Sequence, residues 1–516
     1  MAVSWCDYIC WWYSDYFLKR FKLRNNMKKH ILGLLFLSVT GTCLTSCGDD
    51  FLDTKNYSGV DVDNGLTDAS SVSNAVNGEY DWFYHYNFAG DYATMIGDIP
   101  TDLSYWNGST GHMDAIYSYT MTDEESYLLY IWNYGYKVID NSARAINAGK
   151  KLYETSTEED KQTLDVALAE AYALRAYAKL ALVNIYGHQI KVNGQDFSDQ
   201  PGIVISEEPI KAFEQVSRST VGETYTSIVA DLKDAIEHFG KAGADRGKKV
   251  YFTKAAAEGL LARVYLYMEN WSDAASYAQQ ALDDADVSAL ATTADEYKAM
   301  YSSTGVNTES LFYLSIDDKH NWSAYSCGTL WSTYSFSPSP KLQKMYGAND
   351  CRTSIFIWDA SLSTPTKPVF KGGKFPTVTT TNYLINAPEM YLIKAEAKLH
   401  GTTAADFDEA RNSLLVVAKR NADITSAEQL GTTKDEVLAF LKDERARELF
   451  QEGLRLYDLR RWDEKASVYA YGAPEVKFTF NNYKISDFVY PIPVDEINSG
   501  FGVAQNDWSK TLPKAN

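Results

Sequence analysis

Three groups of residues in this chain have the types and spacing for chemistry. The first is Asp443 to Trp462, DERARELFQEGLRLYDLRRW, where acids and arginines crowd together like an acidic active site. The spacing has a simpler reading. Glu444–Arg447, Glu452–Arg455 and Asp458–Arg461 stand three apart and Asp443–Arg447 four apart. On one helix these are neighbouring pairs of opposite charge, each stabilising by about 0.2–0.5 kcal/mol. Gly453 inside such a helix costs about 1 kcal/mol against Ala, which points to a close packing contact. The segment reads as fold-defining rather than catalytic. The second group is the seven scattered histidines. His85, His112 and His320 lie near aromatics without ligand spacing, so they read as polar groups in a binding face. The third is Asp61-Val-Asp63-Asn64-Gly65, which opens like a calcium loop. Its glycine falls one place early and Val72 stands where the closing carboxylate belongs, so the pattern fails.

Enzymatic signatures are missing. The sequence has no HExxH, GxSxG, Walker loop or CxxC pair, and no cofactor or metal is implied. With 68 Asp+Glu, some carboxylate pair at glycosidase separation is inevitable, so a surface glycoside hydrolase stays open as an alternative.

Cys47 carries chemistry of another kind. From Met27 the chain reads MKKHILGLLFLSVTGTCLTSC: a basic start, then an apolar run too short to span a bilayer, as in a secretory signal. Leu44-Thr45-Ser46-Cys47 resembles the bacterial lipobox, where the signal is removed and the cysteine thiol acylated; the alternative is an ordinary cleavage site. Residues 1–26 precede a complete signal and are expected to be an over-extended gene start, with a short interfacial segment as the other reading. Removing residues 1–46 takes away six bases and two acids and leaves a net charge of −23. Each buried acyl CH₂ contributes about 0.8 kcal/mol, so a multiply acylated Cys47 is a durable anchor. Cys327 and Cys351 remain in the body, with 23 residues between them. They could pair in an oxidising envelope, but the spacing says nothing of the geometry.

Helices must position whatever binds. At 45% apolar and 23% charged the balance is globular. A net charge of −19 with no basic cluster argues against nucleic acid. Only 13 Pro leave room for long helices. Leu164 to Tyr186 is Ala- and Leu-rich and stops at Gly187, a plausible cap. Ser219 or Thr220 can cap a helix running to Gly240. Thr253 to Leu282 resembles a tetratricopeptide pair. Leu261, Ala262 and Tyr265 fill the first helix, Ala274, Ala278 and Ala281 the second, and Asn270-Trp271-Ser272 the turn. Ala387 to Val417 looks like a second, degenerate pair. Residues 81–120 and 313–384 break this rhythm. They are rich in aromatics from a pool of 37 Tyr, 22 Phe and 12 Trp, and such excursions are where binding surfaces tend to lie. The expected fold is mainly α, a tetratricopeptide-like hairpin scaffold with irregular aromatic-rich excursions.

Six motifs in order give a more specific resemblance. They are Cys47-Gly-Asp-Asp-Phe51-Leu52-Asp53, Ala169 to Tyr177, the 253–282 pair, Asn386 to Ala397 (NAPEMYLIKAEA), the 443–462 segment and Tyr490-Pro-Ile-Pro493 with Glu496-Ile497-Asn498. Together they resemble the SusD/RagB family, surface glycan-binding lipoproteins of Gram-negative nutrient-uptake systems. The closing QNPG-like element departs from the pattern, since Gln505-Asn506-Asp507 lacks the Pro. The resemblance implies an N-terminal region over 47–240 with a binding loop at 81–120, and a C-terminal region over 250–516. It implies a non-enzymatic protein, lipid-anchored at the outer membrane, that captures oligo- or polysaccharide and delivers it to a TonB-dependent, SusC-like transporter. Some members serve peptide or glycoprotein uptake, and a helical-repeat scaffold that binds protein is the competing reading. The acidic Asp49-Asp50 resembles the family's surface-export signal. Gly97 to Asp102 resembles the segment before a ligand-stacking Trp, here Trp106. Trp322, Tyr325 and Trp331 stand where other members carry ring platforms, with Asp102 and Asn107 as hydroxyl partners. The alternative is that these rings fill a satellite core beneath the loops.

Overall fold

Capping chemistry sets most helix boundaries. In the computed structural model, α1 (Ala69–Tyr84) starts where Asp68 accepts from the Ser71 N–H at 2.7 Å. After two short helical turns, Tyr92–Met95 and Asp114–Ser118, comes the next long helix, α2 (Ser126–Tyr153). Thr157 caps α3 (Glu158–Tyr186), whose first turn holds Glu158, Glu159 and Asp160 against the positive end of the helix dipole. It ends at Gly187, as predicted. Thr220 and Glu223 form a capping box on α4 (Val221–Ala242). That helix runs two residues past Gly240 and stops at Gly243, whose φ of 69° is a left-handed cap.

The tetratricopeptide-like hairpin is α5 (Lys254–Tyr267) and α6 (Trp271–Asp284), with Thr253 and Asn270 as caps. Ala274, Ala278 and Ala281 are buried against it, because small side chains let two helices approach closely. The second pair is α7 (Ala387–Leu399) and α8 (Ala404–Ala418). Two further helices close the scaffold, α9 (Lys434–Glu448) and α10 (Arg455–Arg461). Helices α3 and α5 are buried nearly all round, which is why both are built from Ala and Leu instead of showing one apolar stripe.

The structure describes residues 65–106, 110–211, 213–285, 287, 289–302, 307–334, 336–358, 370–464, 467–469, 476–479 and 488–512. Cys47, its signal, Asp61–Asn64 and Asn107 lie outside the described residues. Leu66–Asn516 fold as one compact unit around a continuous hydrophobic core.

One open question is settled and one expectation is corrected. Cys327 and Cys351 are both free and buried; the Cys327 thiol donates instead to the Gly90 carbonyl at 3.4 Å. The 443–462 segment is not one helix. It breaks over Leu449–Leu454, where Gln451 and Gly453 take φ of 67° and 75°. Glu444–Arg447 (2.6 Å) and Asp458–Arg461 (2.9 Å) pair as the spacing predicts. Glu452 turns to Lys374 and Arg455 to Asp102, because the break removes the helical register that would have joined them. Gly453 has a close-contact role, though not in a helix. A Cβ there would run into the Thr94 carbonyl, and one on Gly97 into the carbonyl of Gly453.

Candidate functional site

The two aperiodic stretches meet. Strand β1 (Ser104–Trp106) pairs antiparallel with Phe336–Pro338, joining Trp106 to Phe336 and Ser104 to Pro338. The Asn382 amide donates to Gly90 O at 2.6 Å, and Ser339 N–H to Leu103 O at 2.7 Å. Underneath, the Asp102 carboxylate faces the Arg455 guanidinium at 3.0 and 2.9 Å and the Lys341 ammonium. Burial pushes its carboxyl up, but Arg455 and Lys341 outweigh that and hold it at about 2. Both oxygens are engaged below the surface, so Asp102 ties the excursion to α10. It is not placed as a hydroxyl partner, which corrects the sequence reading.

Trp331 is the second correction. It is 0% exposed, its indole N–H meets Met95 Sδ at 3.0 Å, and its ring stands 5.2 Å edge-on from Phe450. A short π-helical turn, Thr329–Tyr334, points it into the core. The satellite-core alternative holds for this ring. Trp106 is half-buried on β1, with its N–H donating to Thr110 O at 3.2 Å and its ring 6.1 Å from Tyr117.

Trp322 and Tyr325 belong to a different assembly. Tyr325, 45% exposed, stacks on Tyr86 at 4.5 Å and 14°. Trp322 stands 5.6 Å from Tyr86 and 4.8 Å from His85. His85 stacks on Tyr134 at 4.5 Å, and Tyr134 meets Trp82 edge-on at 5.6 Å. The result is a belt of six rings from Tyr325 to Trp82. Burial and the nearby Lys137 ammonium lower the His85 pKa, so its ring is neutral at pH 7. The belt borders a cleft of about 890 Å³ whose polar wall is Asp81, Ser315, Lys319, His320 and Asn321. Asp81 is the one carboxylate lining it among the described residues. Electron-rich ring faces next to a few hydrogen-bonding groups suit a ligand with weakly positive C–H faces and many hydroxyls. A second, more apolar hollow of about 470 Å³ lies beside Trp132 and Phe213, and a third of about 520 Å³ between α6 and α7. The 470 Å³ hollow carries two ring pairs, Trp132 with Tyr136 at 4.7 Å and Phe213 with Phe501 at 6.3 Å, and the 520 Å³ hollow one, Trp271 on His400 at 3.8 Å, against the run of six rings in the belt. Among the described residues no group of three His, Cys, Asp or Glu gathers as for a metal, and no helix is long and apolar enough to cross a membrane.

Comparison with known proteins agrees with this architecture. Residues 50–266 match the SusD-like family described as starch-binding associating with outer membrane, and residues 270–508 match the SusD family model. The chain belongs to the SusD/RagB family. SusD-like protein P2 of Formosa agariphila is 23% identical over 91% of this chain and 97% of its own length. A SusD-like protein of Bacteroides ovatus is 26% identical over 59% of this chain and 53% of its own. A SusD superfamily structure from Bacteroides vulgatus superposes with a TM-score of 0.74 at 24% identity, covering 85% of this chain and 99% of that one. One from Bacteroides thetaiotaomicron gives 0.74 at 21%, over 85% and 100%. At these identities the likeness establishes the fold.

Sequence reasoning missed Trp82, Tyr86 and Tyr134 in this SusD/RagB chain. Trp82 and Tyr134 sit on helices, outside or at the edge of the stretches searched. A usable signal was there. In α2 the buried stripe runs through Leu128, Ile131, Gly135 and Val138, while Tyr130, Tyr134 and Lys137 share the opposite face. Rings off the buried stripe of an amphipathic helix are open to other partners: Tyr130 is exposed, and Tyr134 is half-buried.

Proposed function

We propose that this protein is a non-catalytic glycan-binding lipoprotein that holds oligosaccharide on the belt from Tyr325 to Trp82. The observation that carries this is the belt itself: six linked rings, with Tyr325 and Trp82 at its two ends 45% and 37% exposed, beside a cleft with few polar groups. Trp322 and Tyr325 are the platforms, and Trp106 at the end of β1 is a further contact. A hydrolase would need two carboxylates about 5–10 Å apart across the bond, and the single Asp81 in the cleft does not supply them. The family match, described as associating with outer membrane, supports a place on that membrane. Cys47 is then the acylated anchor, and a TonB-dependent, SusC-like barrel the partner that receives the sugar.

Native gels cast with a panel of polysaccharides test the reading. Retardation in at least one gel, without release of reducing ends, is expected; reducing ends would mean a hydrolase, and free migration in every gel would remove the glycan role. Cys47→Ala is expected to move the protein out of the membrane fraction.

A further inference from the structure

The rings of the belt are neutral, but the cations beside them are not balanced. Lys137 Nζ lies 4.1 Å from the Trp82 ring centroid and 4.5 Å from that of Tyr134. Helix geometry would offer it Asp140, three residues on, yet Asp140 is bridged to Arg144 at 2.7 Å. No carboxylate forms an ion pair with Lys137 among the described residues. Lys319, in the lining of the cleft beside the belt, also forms no ion pair among the described residues. Its neighbour Asp317 is occupied by the N–H groups of Lys319 and His320, both at 2.7 Å, and by the His320 imidazole at 3.1 Å. Arg455 and Lys341 beneath the loops, by contrast, are neutralised by Asp102. Lys137, over the ring of Trp82, and Lys319, in the lining of the cleft that Trp82 also lines, are therefore both without an ion-pair partner among the described residues, and Asp81 is the only acid in that lining.

We infer that the ligand is an acidic oligosaccharide, its carboxylate or sulfate ester held by Lys137 and Lys319 while sugar rings lie along Trp322 and Tyr325. This rests on the belt being the glycan site. Lys137 is suited to the role because the two rings hold its ammonium in place without neutralising it. The chain's net charge of −19 repels a polyanion at long range, so the attraction acts only within the screening distance of about 10 Å.

Calorimetric titration of the full mature protein with three length-matched probes tests this: an oligogalacturonate, a sulfated galactan oligosaccharide and a neutral galactan oligosaccharide. At least one acidic probe is expected to bind about tenfold more tightly than the neutral one, and to weaken as salt rises from about 50 to about 500 mM. Which acidic probe binds separates carboxylate from sulfate. Lys137→Met is expected to lose about tenfold for that probe with an unchanged melting temperature, and Lys319→Met to act in the same direction. The inference is overturned if neither acidic probe binds at low salt, if the neutral probe binds as well, or if Lys137→Met leaves the affinity intact. Neutral binding that disappears in Trp322→Ala would keep the belt as the glycan site and remove the acidic ligand. Acidic binding that needs Lys137 but survives Trp322→Ala and Tyr325→Ala would support the charge contact and move the sugar off the belt.

Discussion

Trp322 and Trp331 stand nine residues apart in one aperiodic stretch, and their surroundings divide them. Trp331 is closed off on every side, its N–H aimed at Met95 and its ring edge-on to Phe450. Trp322 leans on His85 and Tyr86 at the border of an open cleft. The same residue type thus builds a floor in one place and a ligand-facing surface in the other. The floor comes first physically: Trp331, Asp102 and β1 fix the two loops, and only fixed loops can hold Trp322 and Tyr325 in line with the rings of α1 and α2.

The contrast can be broken at the floor. Arg455→Ala leaves Asp102 buried with Lys341 alone, and is expected to cost about 3–5 kcal/mol in denaturant unfolding. Trp331→Ala is expected to cost a similar 3–5 kcal/mol by leaving a cavity. A loss well under 1 kcal/mol for either would mean that the floor does not support the loops.

Titration sharpens the same contrast with a smaller effect. Asp98, buried beneath the belt loops, accepts from the N–H groups of Gly453 (2.8 Å) and Arg455 (3.3 Å), and burial raises its carboxyl to about 7. Between the unfolded value of about 4 and about 7 the native state keeps a proton that the unfolded chain has lost. Stability from this group therefore falls as pH rises through that window, by up to about 1.4 kcal/mol per pH unit. Asp98→Asn is expected to flatten the slope of melting temperature against pH there. Asp102 and Glu448, each held at about 2 by facing cations that outweigh burial, act with the opposite sign. Their stabilisation is complete above about 4 and is lost as pH falls towards about 2. The smallest expected stability effect is on the surface, where Trp322→Ala should change unfolding by about 1 kcal/mol or less.

Most of the scaffold was legible because it follows local rules. Thr253, Asn270, Thr220 and Gly187 mark helix ends through capping chemistry that a few residues carry by themselves. The break at Gly453 was not legible, since its cause is a carbonyl more than three hundred residues away, that of Thr94. The site divided in the same way. Motif order led to Trp322 and Tyr325, which lie on the belt, and also to Trp331 and Asp102, which lie beneath it. Density of rings in a loop signals a structured excursion but does not say which rings face out; that depends on partners such as Met95 and Arg455 that are remote in sequence. Trp82 and Tyr134 were overlooked because helices were read for their buried stripe and not for rings on the other face.

The direct test sets the two tryptophans side by side on a polysaccharide that retains the wild-type protein. Trp322→Ala is expected to lose retention in the affinity gel with nearly unchanged melting. Trp331→Phe is expected to melt lower and keep its retention. The opposite pattern, with retention lost on changing the buried ring while Trp322→Ala still binds, would contradict the belt as the binding surface.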